Sequence, residues 1–201
     1  MKLFTLFTLD DRNTLPNENQ AAIVADESEE KPELGQHTSM QEVQRDKELQ
    51  QPQKEKLETE VCTYVEEMLD DRLGWLSDRE TVEQAMEYFY EKTGVQPYLL
   101  ICDSLEGKGG DIADSEGEQY LQQLYDSLYT DEGHMIFVFM EYEESRYITY
   151  LYTGQEADYV IDERARNLFL NNADAYYTDL SLSDEEYFAK VFRVSADSIM
   201  D

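Results

Sequence analysis

A short, wholly apolar run near the middle of the chain constrains the fold more than any other feature. Residues 92–104 read KTGVQPYLLICDS, and residues 98–102 contain no charged side chain. A strand that is apolar at every position is typical of a parallel sheet covered on both faces. Gly94 suits the left-handed end of a helix, and Pro97 suits the start of a strand. The run predicts an α/β fold, with Asp103 at the strand's carboxyl end, where such sheets usually carry their ligands.

Helix and strand patterns alternate on either side of this run. Apolar residues recur every three or four positions over residues 57–69, which predicts a first helix, and Ser77 followed by Glu80 predicts a capping box that starts a second. An acidic, glycine-rich loop follows at 106–117. Beyond it the pattern predicts helices over about 118–129, 157–177 and 184–200, and Ser183 with Glu186 predicts a capping box at the start of the last one. Strands 134–140 and 147–152 are predicted to form an antiparallel hairpin.

The acidic side chains are concentrated in the second part of the chain. The 201 residues carry a net charge of -30, and residues 61–201 hold 32 of the 46 acidic side chains but only nine of the 16 basic ones. Such a surface repels phosphate backbones and anionic headgroups, so the charge argues against nucleic-acid binding and adsorption to an anionic membrane. It favours cations and a basic protein partner. The alternative is a solvated surface that serves only solubility.

Residues 1–55 differ in character from the rest. They are rich in Gln, Glu, Asn and Lys with only scattered aliphatic residues, so we expect a disordered or partly helical tether ahead of a domain over residues 56–201. The first nine residues, MKLFTLFTL, look like a shortened signal peptide but lack a small-residue cleavage site; an apolar tail or a strand is the alternative. No segment approaches the ~20 apolar residues of a transmembrane helix.

Few residues have the pattern of a catalytic or cofactor site. Cys62 and Cys102 lie in apolar surroundings, which predicts buried thiols rather than a disulfide or metal cluster, and His134 at the start of a buried strand is typical of a structural histidine. The 106–117 loop fits neither a calcium-binding EF-hand nor a phosphate loop, so we expect no nucleotide or organic cofactor. A solvated acidic loop is the simpler interpretation.

Several short motifs follow one another between residues 69 and 200: Leu76-Ser77, Thr93-Gly94, Asp131 with Gly133, and Gly154 with Glu156 and Asp162. In both order and spacing they resemble the TPM domain. The resemblance implies a three-layer α/β/α sandwich with a small mixed sheet. It also implies a place among bacterial envelope and thylakoid proteins, which lie mostly outside the cytoplasm, although this N-terminus has no convincing signal peptide. The compartment is therefore left open.

The resemblance also implies two functions, because some family members are reported as phosphatases and some bind calcium. It points to Asp103, Asp131, Glu156 and Asp162 as ligands of Ca²⁺ or Mg²⁺, since a divalent cation removes the repulsion between clustered carboxylates. A metal-dependent phosphatase is then the enzymatic alternative. However, residues 110–144 contain no Lys or Arg to hold a phosphate. We therefore favour a non-catalytic interaction or accessory module. Its tyrosines Tyr176, Tyr177 and Tyr187 belong either to the core or to a protein-binding face.

Overall fold

The computed structural model describes residues 6–8 and 54–201 of this protein. A short 3₁₀ turn at Ala157–Tyr159 precedes the third helix. The elements follow in the order β1 (Leu6–Thr8), β2 (Leu69–Asp71), α1 (Arg79–Thr93), β3 (Gln96–Cys102), α2 (Asp114–Leu128), β4 (His134–Glu143), β5 (Arg146–Thr153), α3 (Glu163–Tyr177) and α4 (Asp184–Met200).

The strands form one mixed sheet in the order β1-β5-β4-β3-β2. Strands β2, β3 and β4 are parallel, and Gln96 to Cys102 of β3 lie opposite His134 to Met140 of β4. Strand β5 returns antiparallel to β4 as the second arm of a hairpin, and β1 pairs antiparallel with β5. The predicted α/β class and the predicted hairpin are both confirmed.

Helices cover both faces of the sheet, so the three-layer α/β/α sandwich is also confirmed. Alternate residues of each central strand point to opposite sides of the sheet. Phe137 and Phe139 of β4 join the core beneath α1, α3 and α4, whereas Val138 between them joins the core beneath α2. Because both faces of β3 and β4 are buried, their sequences are apolar at nearly every position.

Two predicted helix ends are present as expected. Helix α1 ends at Gly94, which has a φ of 73° and donates its amide to the Tyr90 carbonyl. A side chain at this position would place its Cβ 2.1 Å from the Leu57 carbonyl oxygen, so glycine is needed for space as well as for conformation. Helix α4 begins with the predicted capping box, in which Ser183 and Glu186 satisfy each other's backbone amides.

The predicted helix over residues 57–69 is wrong, because tertiary partners take its backbone groups. Residues 54–68 form no helix or strand. The Leu57 amide bonds to the Thr93 carbonyl, and the Gln96 side chain bonds to both the amide and the carbonyl of Val65. These bonds replace the ladder that a helix would need. The apolar side chains still reach the core, as the burial of Leu57 and Met68 shows.

The start of α1 also differs from the prediction. Asp78 caps the helix by accepting from the Thr81 amide, and Ser77 bonds instead to a side chain of α4. The predicted tether over residues 1–55 lies outside the described residues except for β1 and residues 54–55. Within the described part of the chain, every helix is too short or too polar to cross a membrane.

Candidate functional site

The four carboxylates predicted to bind a metal lie at two different edges of the sheet. Asp103 follows the last residue of β3, and Asp131 precedes the first residue of β4. Since these two strands are parallel and in register over seven residue pairs, Asp103 and Asp131 stand at opposite ends of the strands, roughly 20 Å apart. Asp103 is exposed, and its carboxylate accepts a hydrogen bond from the Ser104 hydroxyl.

The other three predicted ligands share the edge where β4 begins and β5 ends, but they do not form one site. Asp162 caps α3 through the Ala165 amide at 2.9 Å and forms an ion pair with Lys54 at 2.7 Å. Partial burial raises the pKa of Asp162, but these bonds outweigh burial and hold the pKa below its usual value. Glu156 is exposed in the loop after β5. The structure therefore engages Asp162 in holding the fold together.

Asp131 belongs to a different cluster, with Cys62 and His134. Within the described residues these three side chains are the only set of three or more His, Cys, Asp or Glu whose ligand atoms lie within 4.8 Å of one another. Asp131 accepts from the amides of Thr63 and Gly133 at 3.0 Å each, and its Oδ1 lies 3.1 Å from His134 Nε2. Burial raises the pKa of Asp131, yet the two amide bonds outweigh it and lower the pKa overall.

The sulfur of Cys62 lies close to the His134 ring, at 3.8 and 3.7 Å from its two nitrogens. The Tyr129 ring stacks on His134 with centroids 3.7 Å apart and covers one face of the imidazole. The three groups are near enough to one another to hold a metal ion. However, His134 Nε2 already lies at hydrogen-bond distance from Asp131 Oδ1, so the protein's own groups account for the arrangement.

The protonation states also argue against a nucleophile at this cluster. Burial raises the pKa of the Cys62 thiol to about 11, and burial lowers the pKa of His134 despite the nearby Asp131 carboxylate. The thiol and the imidazole are therefore both neutral near pH 7, whereas a reactive cysteine needs a thiolate. Sequence analysis missed the contact between Cys62 and His134. The structure gives His134 the structural contacts that its pattern predicts.

A concave site lies at the other edge of the sheet, where the parallel strands end. Its cavity of about 420 Å³ falls within the usual range for ligand pockets. We call it the acidic aromatic pocket. It is bounded by the end of β4, the β4–β5 turn, the loop between α3 and α4, and the loop between β2 and α1. The lining residues are Trp75, Phe139, Glu141, Ser145, Tyr176, Tyr177, Asp179, Leu180, Leu182, Ser183, Asp184 and Tyr187.

The aromatic rings of the pocket meet at steep angles. Trp75 and Phe139 have centroids 6.0 Å apart at 62°, Phe139 and Tyr187 5.9 Å apart at 72°, and Tyr177 and Tyr187 6.1 Å apart at 74°. In such edge-to-face packing the rings support one another, because the positive edge of one meets the negative face of the next. The rings therefore form one aromatic wall of the pocket. Leu180, which is 95% exposed, stands at its rim.

Carboxylates surround these rings, and none of the described lining residues is basic. Glu141 accepts from the Tyr177 hydroxyl at 3.1 Å and from the Ser145 amide at 3.2 Å. Burial and the Glu141 charge raise the pKa of Tyr177 to about 12. Partial burial and then the charges of Glu185, Glu141 and Asp71 raise the pKa of Asp184. The pocket is therefore a place of negative potential, which favours a cation.

The Glu185 carboxylate, beside the pocket, connects α4 to the chain at the start of α1. Glu185 Oε1 accepts from the Ser77 amide and hydroxyl at 2.6 Å each, and from the Asp78 amide at 3.0 Å. Glu185 belongs to the first turn of α4, and the amides belong to the start of α1. These bonds lower the pKa of Glu185 to about 2. They hold the Trp75 side of the pocket against the Tyr187 side.

Sequence analysis named Tyr176, Tyr177 and Tyr187 as one alternative for a binding face, but missed the carboxylates and Trp75. Glu141 comes directly after the apolar part of β4, as Asp103 comes after β3. The rule that ligands bind at the carboxyl ends of parallel strands therefore applied to both residues. No pattern in the sequence pointed to Trp75, whose place depends on how the β2–α1 loop packs.

Solved structures that are similar to this chain include a domain from Corynebacterium glutamicum. The solution NMR structure of the N-terminal domain of cg2496 protein from Corynebacterium glutamicum is 12% identical, and the alignment covers 72% of this chain and 88% of that chain with a TM-score of 0.49. At that level the likeness carries no argument about ligands or activity. No protein-family model and no curated protein matches this chain.

Proposed function

We propose that this protein is a non-catalytic interaction module whose acidic aromatic pocket binds a positively charged segment of a protein partner. One observation carries the proposal. The pocket combines aromatic rings packed edge to face with the carboxylates of Glu141, Asp179 and Asp184, and its described lining residues include no basic side chain. A cation held over an aromatic face gains about 0.5–2 kcal/mol, and more where water is excluded.

The charge of the whole chain supports the same partner. A net charge of -30 attracts a basic segment from a distance and speeds its encounter with the protein, an effect that weakens as salt increases. The apolar ring surface then supplies contacts that salt does not weaken. We therefore expect high salt to slow association, while substitutions in the pocket still weaken binding.

The metal-dependent phosphatase is the less favoured function. It requires Asp103, Asp131, Glu156 and Asp162 to share an ion, and Asp103 lies at the opposite edge of the sheet from the other three. Membership of the TPM family, binding of Ca²⁺ or Mg²⁺, and a place outside the cytoplasm stay predictions from the resemblance.

The test uses the full chain and the signal of its single tryptophan, Trp75, which lines the pocket. A short peptide of alternating basic and small residues is titrated while the indole N–H resonance of Trp75 is followed by NMR. A peptide with glutamine at each basic position is the matched control. We expect the basic peptide to shift the Trp75 resonance in a saturable way and the control peptide to leave it unchanged.

Two variants test the location of the binding site. Asp184→Asn removes a pocket charge, and Asp126→Asn removes an exposed charge on α2, which lies on the other face of the sheet. We expect only Asp184→Asn to weaken binding. If the peptide does not shift Trp75, or if both variants weaken binding equally, the proposed function is wrong and the attraction is that of the acidic surface as a whole.

A further inference from the structure

We infer that the group bound in the acidic aromatic pocket is the guanidinium of an arginine side chain, paired with Asp184 and packed against the aromatic rings. The inference rests on the proposed function and narrows the class of ligand. It follows from three features of the pocket: the unequal engagement of its carboxylates, a cation already present at its rim, and the presence of aromatic rings beside a carboxylate.

The three carboxylates of the pocket differ in how many hydrogen-bond and ion-pair partners the chain itself gives them. Glu141 uses one oxygen for the Tyr177 hydroxyl and the other for the Ser145 amide. Asp179 accepts from the Ser181 hydroxyl and amide and pairs with Lys190 at 3.4 Å. Asp184 has no hydrogen-bond or ion-pair partner among residues 54–201. An incoming cation therefore finds its free carboxylate at Asp184.

The electrostatic surroundings of Asp184 also favour an occupant. The charges of Glu185, Glu141 and Asp71 act on this carboxylate. A cation bound there reduces that repulsion. A positive group therefore gains the most electrostatic energy in the pocket when it binds beside Asp184.

The rim of the pocket shows that its geometry suits a cation. Lys190 Nζ lies 4.3 Å from the centroid of the Tyr176 ring while it pairs with Asp179. The Tyr176 ring at the end of α3 and the Asp179 carboxylate just after it thus already hold one ammonium group from the same chain. Tyr177 and Asp184 offer a second ring and a second carboxylate in the pocket itself.

The combination of aromatic rings and a carboxylate favours arginine over the other common cations. A guanidinium is planar and weakly hydrated, so it can stack on a ring while donating two hydrogen bonds to one carboxylate. A lysine ammonium is compact and strongly hydrated, and it loses more hydration energy against the apolar walls. A trimethylated ammonium fits aromatic cages but has no N–H to donate to Asp184. Of the three cations, the guanidinium alone combines a flat face for a ring with two parallel N–H donors for one carboxylate.

The experiment compares short glycine–serine peptides that differ only at one central residue: arginine, lysine or trimethyl-lysine. Each is titrated into the full chain while the Trp75 indole resonance is followed. We expect the arginine peptide to bind at least about tenfold more tightly than either of the others. We also expect Asp184→Asn to remove most of that preference, Asp184→Glu to retain part of it, and Asp126→Asn to leave it unchanged.

The outcomes separate this inference from the proposed function. If the lysine or trimethyl-lysine peptide binds as tightly as the arginine peptide, and Asp184→Asn weakens all of them, the interaction module stands and the arginine inference is wrong. If the basic peptides of the first test do not bind at the pocket, both are wrong. Thermal melting of each variant checks that loss of binding does not arise from unfolding.

Discussion

The two ends of the parallel strands both carry acidic side chains, yet they use them differently. At the amino end, Asp131 accepts hydrogen bonds from two backbone amides and lies within hydrogen-bond distance of His134. At the carboxyl end, Asp184 lies among other carboxylates and aromatic rings with no partner among residues 54–201. A carboxylate that ties backbone segments together contributes to folding, whereas one left among like charges is available for a ligand.

The pKa values express the same contrast. The pKa of Asp131 is lowered because amide bonds outweigh burial, and the pKa of Asp184 is raised because like charges add to burial. The charged form of Asp131 therefore stabilises the folded state, and the charged form of Asp184 opposes it. Destabilising residues of this kind are typical of functional sites.

The largest loss of stability should follow from Asp131→Ala. The substitution leaves the amides of Thr63 and Gly133 and the ring of His134 without their acceptor, so we expect a loss of about 3 kcal/mol. Thermal unfolding should then occur about 6–12 °C lower. Asp131→Asn keeps one acceptor oxygen and should lose less. A melting temperature equal to that of the unmodified protein would show that these bonds do not hold residues 54–68 in place.

Glu185→Gln should have the next largest effect, with a clear pH dependence. Removing a charged acceptor from three donors costs about 2 kcal/mol near neutral pH. The folded pKa of about 2 lies below the ordinary 4.5, so the contribution is complete above pH 4.5 and disappears as the pH falls from there to about 2.

Melting curves of Glu185→Gln and the unmodified protein across this pH range provide the measurement. Their melting temperatures should differ at neutral pH and converge toward pH 2. Glu186→Gln is a useful comparison, since Glu186 lies in the same turn but caps α4 itself rather than joining it to α1. A constant difference at all pH values would mean that Glu185 acts by packing and not by its charge.

Asp184→Asn should have a smaller effect of the opposite sign. Neutralising this side chain removes repulsion from Glu185, Glu141 and Asp71, so the variant should be more stable near pH 7 by a few tenths of a kcal/mol after solvent screening. The raised pKa means that this gain fades as the pH falls through the folded value, where Asp184 is protonated in any case. A clear loss of stability at neutral pH would contradict the contrast with Asp131.

The smallest effect is expected from Ca²⁺ or Mg²⁺. Because Asp103 lies far from Asp131, and Asp162 is paired with Lys54, we expect either ion at matched ionic strength to change the melting temperature by less than about 1 °C. A larger increase that Asp103→Asn or Glu156→Gln abolishes would show that the predicted metal site forms.

The elements that the sequence predicted well have local causes. The apolar strands, the helix end at Gly94 and the capping box at Ser183 each depend on residues within a few positions of one another. The predicted helix over residues 57–69 failed although its apolar spacing was suitable. Its backbone groups bond to Thr93, Gln96 and Asp131, which are distant in sequence. Local periodicity cannot reveal such competition.

The sequence by itself determined the α/β class, the acidic character and the presence of tyrosines suited to a binding face. Only the tertiary structure decided which carboxylates share an edge, because strand direction and register place Asp103 and Asp131 at opposite ends. It likewise decided that Trp75, Glu141 and Asp184 meet in one pocket, since a loop, a strand and a helix that are distant in sequence must pack together to bring them there. Hydrogen bonds and charges between distant residues then determine which carboxylates hold the fold and which stay free to bind a ligand.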